Sequence, residues 1–129
     1  MAIRTFFDFV SARGENVIDA WLRKDIPPGA RAEIEAQLLV LRAVPTLERP
    51  AAGDMKKREC RGLIEVRVDW RKQQFRLLGY YGPERAQVTL LIGAREKGGN
   101  LEPREACAIA LRRIGEIESR RGTIREHGL

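Results

Sequence analysis

Between residues 63 and 93 the chain alternates apolar and polar positions with a period of two. In LIEVRV, Ile64, Val66 and Val68 alternate with Glu65 and Arg67, as in a strand with one buried face. FRLLGYY and AQVTLLIG follow, separated by a turn at Gly82-Pro83, so three strands joined by short turns are predicted, an antiparallel meander. Upstream the period lengthens. ARAEIEAQLLVLRAV places Ala30, Ile34, Leu38 and Leu41 on one line, with Glu33, Glu35 and Arg42 off it, which predicts a helix. Before it, VIDAWL carries Val17, Ile18, Trp21 and Leu22 as a shorter helical stripe with Asn16 as N-cap. IRTFFDFV, apolar on both faces, reads as a covered first strand. Pro27, Pro28 and Gly29 separate the two helices, and Pro45 and Pro50 frame an irregular connection. At the other end Glu102 and Pro103 open a last helix lined by Ala106, Ala110, Ile114 and Ile117. Gly122 is expected to end it, leaving residues 120–129 as a frayed tail.

The expected order is β-α-α-β-β-β-α, an α+β fold with a small antiparallel or mixed sheet, helices packed on one face and the other face open. The 129 residues suit a single domain over 1–129.

Alternation assigns side chains to the open face. If Ile64, Val66 and Val68 meet the helices, Glu65 and Arg67 point away. The cost of burying a charge turns Arg76 outward, and Tyr80 with it. In the third strand Val88, Leu90 and Ile92 form the apolar set, which places Arg95 opposite them. One face then collects Glu65, Arg67, Arg76, Tyr80 and Arg95. Guanidinium groups grip phosphate, tyrosine stacks or passes a proton, and a carboxylate can act as base. The same alternation also suits cross-strand ion pairs that keep an exposed sheet solvated.

Charge sharpens this picture. The net +6 is concentrated in residues 56–76, where eight Lys and Arg stand against three Asp and Glu, a distribution that attracts a polyanion. Lys56, Lys57, Arg58, Arg71 and Lys72 belong to it, and Trp70 beside the last two is placed for hairpin packing or base stacking. No window approaches the roughly 18 to 20 apolar residues of a membrane span, and the N-terminus has no secretory pattern, so a cytoplasmic protein is expected. Cys60 and Cys107 form no CxxC motif and are expected to be free thiols, without a metal site.

GLIEVRV, FRLLGYY, LLIGAREKGGNLEP and the small-residue helix EACAIALRR, in this order, resemble the HigB and RelE superfamily of toxins from bacterial toxin–antitoxin modules, in its phage-derived branch. The resemblance implies a cytoplasmic endoribonuclease with a RelE-like fold that cuts messenger RNA on the ribosome. It would need no cofactor and would be silenced by a cognate antitoxin, a helix-turn-helix DNA-binding protein.

Carried onto this chain, the resemblance places Arg67, Arg76 and Arg95 at the basic positions of the site, with Glu96 and Lys97 extending the last motif. Arg76 and Arg95 would stabilise the phosphorane while Arg67 positions the backbone. Tyr80 or Lys97 would serve as acid and Glu65 or Glu96 as base, Glu65 also lying against the RNA. His127 falls in the frayed tail, and Trp21 is expected in the core.

Overall fold

The computed structural model describes residues 2–129. Its elements run β1 (Thr5–Val10), α1 (Val17–Lys24), α2 (Pro28–Leu41), β2 (Ala52–Asp54), a 3₁₀ turn (Arg58–Cys60), β3 (Ile64–Trp70), β4 (Gln73–Tyr81), β5 (Gln87–Lys97), β6 (Asn100–Glu102), α3 (Ala106–Glu118) and β7 (Thr123–Glu126). The fold is mixed α+β. The predicted elements are present, and the short strands β2, β6 and β7 are additions that period counting misses because three or four residues establish no period. The sheet order is β2-β3-β4-β5-β1-β7, with β6 also on β5. β1 runs parallel to β5 and the remaining pairings are antiparallel.

Both faces of this sheet are covered, which corrects the expectation of an open face. Ile64, Val66, Val68, Phe75, Leu77, Val88 and Leu90 pack against α1 and α2, where Ala30, Ile34, Leu38 and Leu41 are buried as the periodicity predicts. On the opposite face Leu78, Leu91, Ile92 and Ala94 pack against Ala106, Cys107 and Ala110 of α3. An α3 stripe of small residues lets this helix sit close to the sheet.

Local signals account for the helix ends. Asn16 Oδ1 accepts from the backbone N–H of Ile18 and Asp19, the predicted cap of α1. The C-terminus of α2 is capped from a distance. The buried Arg4 guanidinium donates to the carbonyls of Leu41, Val44 and Pro45, satisfying acceptors that a helix end leaves open. α3 begins at Ala106, later than Pro103 suggests.

The tail is ordered, not frayed. β7 pairs with β1 from Thr123 to Glu126, and His127, only 6% exposed, is buried beyond it. Cys60 and Cys107 are joined as a disulfide rather than free. It ties the 3₁₀ turn to the first turn of α3. Among the described residues no helix is long and apolar enough to cross a membrane.

One irregularity reorganises β5. Leu78 pairs with Ile92 but Gly79 pairs with Leu90, so Leu91 is an inserted bulge residue. Its carbonyl accepts from Arg113 Nη1 at 2.7 Å. Beyond the bulge the parity of β5 is inverted. Val88 and Leu90 face α1 and α2, whereas Ile92 and Ala94 face α3.

Candidate nucleic-acid interface

The site follows from the register of β3, β4 and β5. Arg67 of β3 lies directly opposite Arg76 of β4, and Asp69 opposite Gln74, which pairs in turn with Glu96 of β5. Glu65, Arg67, Asp69, Arg76 and Glu96 therefore share the sheet face on which α3 packs. Two guanidinium groups directly across a strand pair repel one another, so their neighbours must compensate.

Three carboxylates do so. Arg76, with no exposed surface, donates from Nε to Glu96 at 3.0 Å and from Nη1 to Asp69 at 3.2 Å and the Phe75 carbonyl at 2.9 Å. Its Nη2 has no partner among the described residues. Arg67 donates to the buried Glu65 at 3.0 Å, and Glu65 accepts a second bond from Arg49 at 2.6 Å. The face thus carries three arginines and three carboxylates, with Arg67 partly exposed. Sequence reasoning turned Arg76 outward to keep it solvated. It is on the expected face but buried, its charge held by Glu96 and Asp69. Asp69 and Arg49 were missed, although Asp69 continues the alternating set of Glu65 and Arg67.

Other expected residues lie elsewhere. Arg95 pairs with Phe75 and sits on the α1–α2 face, a correction with a single cause, the parity change at Leu91. There its guanidinium stacks over the Phe75 ring at 5.1 Å and donates to Gln73 at 2.9 Å and the Asp25 carbonyl at 2.8 Å. Tyr80 keeps the expected face, but four residues along the strand put it roughly 13 Å from Arg76. Its hydroxyl is buried without a partner among the described residues, and burial, then Glu118, push its pKa up. Lys97, on the β5–β6 hairpin, forms an ion pair with Glu102 at 3.3 Å.

The basic rim is better grouped. Lys57 Nζ reaches the Gly99 carbonyl of the β5–β6 hairpin at 3.3 Å, bringing the Lys56–Arg58 segment against that turn. Arg71 and Lys72 form the two-residue turn between β3 and β4, both left-handed, with φ of 48° and 65°. The Arg71 guanidinium lies 4.7 Å from the Trp70 ring centroid. Trp70 itself packs on Gly29, where a Cβ would approach its ring to 2.2 Å, so packing against α2 rather than an exposed stacking platform accounts for it.

A second polar cluster went unread in the sequence. His127 Nδ1 meets Asp8 at 2.7 Å and Nε2 meets Glu35 at 2.8 Å, while Asn16 donates to the other Asp8 oxygen at 3.0 Å. Burial pushes the imidazole pKa down, but the hydrogen bonds and negative charges of Asp8 and Glu35 outweigh it and raise the value to about 9. A lone His near a terminus gives no such signal in sequence. Among the described residues no three His, Cys, Asp or Glu side chains converge to hold a metal ion.

Compared with protein-family models, curated proteins and solved structures, the chain has no match.

Proposed function

We propose that this protein is an endoribonuclease toxin that cleaves messenger RNA, acting on the ribosome in the cytoplasm and inhibiting translation until a cognate antitoxin covers it. The carrying observation is the direct cross-strand pairing of Arg67 and Arg76 with Glu96 hydrogen-bonded to Arg76. The ordered resemblance of four segments to HigB and RelE toxins and the basic stretch 56–76 support the same reading.

The chemistry is attack of an RNA 2′-hydroxyl on the adjacent phosphorus. Arg67, the partly exposed member of the pair, meets the phosphate and stabilises its added negative charge, as preorganised donors do. Glu96 is the base, its carboxylate oriented by the buried Arg76. In this reading the departing 5′-oxygen takes its proton from solvent, because the Tyr80 hydroxyl is buried and Lys97 alternates away from Glu96. The guanidinium groups supply the positive charge, so no cofactor is invoked. Lys56, Lys57, Arg58, Arg71 and Lys72 hold the flanking backbone.

A second reading is favoured by one observation: Arg49, Arg67 and Arg76 are each already paired with a carboxylate. A non-catalytic RNA-binding or interaction module of the same fold would use such a balanced face. Primer extension on messenger RNA, free and on programmed ribosomes, separates the two. Discrete cuts by wild type that vanish in Glu96→Gln while RNA binding persists support the nuclease. Binding without cuts by folded wild type, free of any partner, supports the module.

A further inference from the structure

Asp69 differs from the other carboxylates around Arg76. Its side chain is 69% exposed, against 25% for Glu96, while the guanidinium between them has no exposed surface. Glu96 takes the Nε side of Arg76. The opposite edge, formed by Nη1 and Nη2, is a fork suited to two acceptor oxygens, and it is poorly filled. Nη1 donates one bond to the Phe75 carbonyl at 2.9 Å and a second to one Asp69 oxygen at 3.2 Å, longer than charge-assisted bonds of about 2.7–2.9 Å, and Nη2, although buried, has no partner among the described residues. An unsatisfied buried donor is costly, so this edge is stronger with a second acceptor than without one.

We infer that Asp69 is a stand-in for a phosphate group: in the free protein it takes Nη1 of Arg76 beside the unpartnered Nη2, and a phosphate of a polyanionic ligand displaces it. The phosphate then engages both nitrogens, with Arg67 directly across the strand pair. The displacement is feasible because Asp69, 69% exposed, is solvated when it swings away, while the incoming phosphate takes its place and keeps the buried Arg76 guanidinium paired with an anion. The ligand gains by matching two oxygens to the fork and by separating the two facing guanidinium groups with negative charge. Asp69 is thus an autoinhibitory contact rather than a support. This inference rests on the reading of this face as the one that meets RNA phosphate.

The test compares wild type, Asp69→Asn, Arg67→Ala and Glu84→Gln for binding of inorganic phosphate and of a short single-stranded RNA made uncleavable by 2′-O-methylation, by calorimetric titration at low salt. Asp69→Asn is expected to bind both probes on the order of fivefold tighter, because one competing negative charge is removed from the guanidinium. Glu84→Gln removes the same charge from an exposed site at the β4–β5 turn and should change little, and Arg67→Ala should weaken both probes. Asp69→Asn binding no tighter than wild type, or tightening matched by Glu84→Gln, overturns the proposal. Tighter phosphate and RNA binding by Asp69→Asn with no cleavage of unmodified RNA by wild type keeps the stand-in and removes the nuclease. Cleavage by wild type with unchanged binding by Asp69→Asn does the reverse.

Discussion

His127 holds the C-terminal strand to the body of the fold by placing its imidazole between Asp8 of β1 and Glu35 of α2, 2.7 Å from one and 2.8 Å from the other. Its pKa is raised to about 9, so the ring is charged at neutral pH and carries a proton on each nitrogen. A group whose folded pKa exceeds its unfolded value stabilises fully below the unfolded value and loses that contribution as pH rises through the folded one. Denaturant unfolding should therefore show stability declining from about pH 6.5 to beyond about pH 9, by up to about 3 kcal/mol. His127→Gln should be less stable at neutral pH and lack this slope. An unchanged slope in the variant would assign the pH dependence to other groups.

Gly93 is the contact point between β5 and α1. A Cβ there would lie 2.1 Å from the Trp21 ring, which also meets Phe75 edge-on with centroids 6.2 Å apart. Gly93→Ala must displace the indole, and overpacking of this kind costs about 1–3 kcal/mol. The readout is a lowered denaturation midpoint with changed Trp fluorescence. A midpoint equal to wild type would mean that α1 rides on the sheet more loosely than the contact implies.

How far the sequence could be read turns on the same strand. Period-two patterning located β3, β4 and β5, and period 3.6 located α2 with its buried face, because burial on one side imposes those periods on local residues. Face assignment failed at one residue. Leu91 is as apolar as its neighbours, so nothing in LLIG marks it as a bulge, yet it moved Arg95 across the sheet. The facing of Arg67 and Arg76 was legible because both lie on strands that keep their alternation, whereas Glu96 joins them only through the parity change that moved Arg95 away. Asp8, Arg4 and His127 were not, since each is satisfied by partners distant in sequence. The disulfide is equally non-local, joining residues 47 apart.

That disulfide holds α3 and the basic segment 56–58 to one another through the 3₁₀ turn. Cross-linking a loop of this length restricts the unfolded chain, an effect of about 4 kcal/mol in the chain-entropy model. Reduction with a dithiol, or Cys60→Ala with Cys107→Ala, should lower the melting temperature, most visibly in the amide exchange of α3. Cytoplasmic pools keep thiols reduced, so intact mass measured on protein alkylated in the cell reports whether the bond forms there. A melting temperature insensitive to reduction would show that packing alone secures α3.

The β3–β4 turn is built from the wrong residues for stability. Two-residue hairpin turns with both positions left-handed favour Asn-Gly, whereas this one holds Arg71 and Lys72 at positive φ. Left-handed backbone costs a non-glycine residue about 1 kcal/mol or more. Replacing the pair by Asn-Gly should raise stability by about 1 kcal/mol and, if these cations hold RNA backbone, weaken RNA binding and reduce its salt dependence. Stabilisation with unaltered RNA binding would remove Arg71 and Lys72 from the interface.

The family resemblance would set Arg95 at the reacting phosphate and Arg67 on the RNA backbone, but the two lie on opposite faces of this sheet, and that separates their roles. Arg95 bonds Gln73 and the Asp25 carbonyl and covers Phe75, so Arg95→Ala should cost on the order of 1 kcal/mol of stability and leave cleavage and RNA binding near wild type. Among the described residues the Arg67 side chain is bonded to Glu65 alone, and it is partly exposed beside Arg76. Arg67→Ala should keep the fold and reduce cleavage by about 10²–10³, the range seen when one donor to a developing charge is removed. Arg76 is unsuited to this comparison, since its side chain is fully buried and deleting it would disturb the packing as well as the charge balance of Glu96 and Asp69. Single-turnover cleavage and thermal melts of the two alanine variants, measured side by side, give the answer. Lost cleavage in Arg95→Ala at full stability would place the reactive phosphate on the α1–α2 face and refute the site built on Arg67.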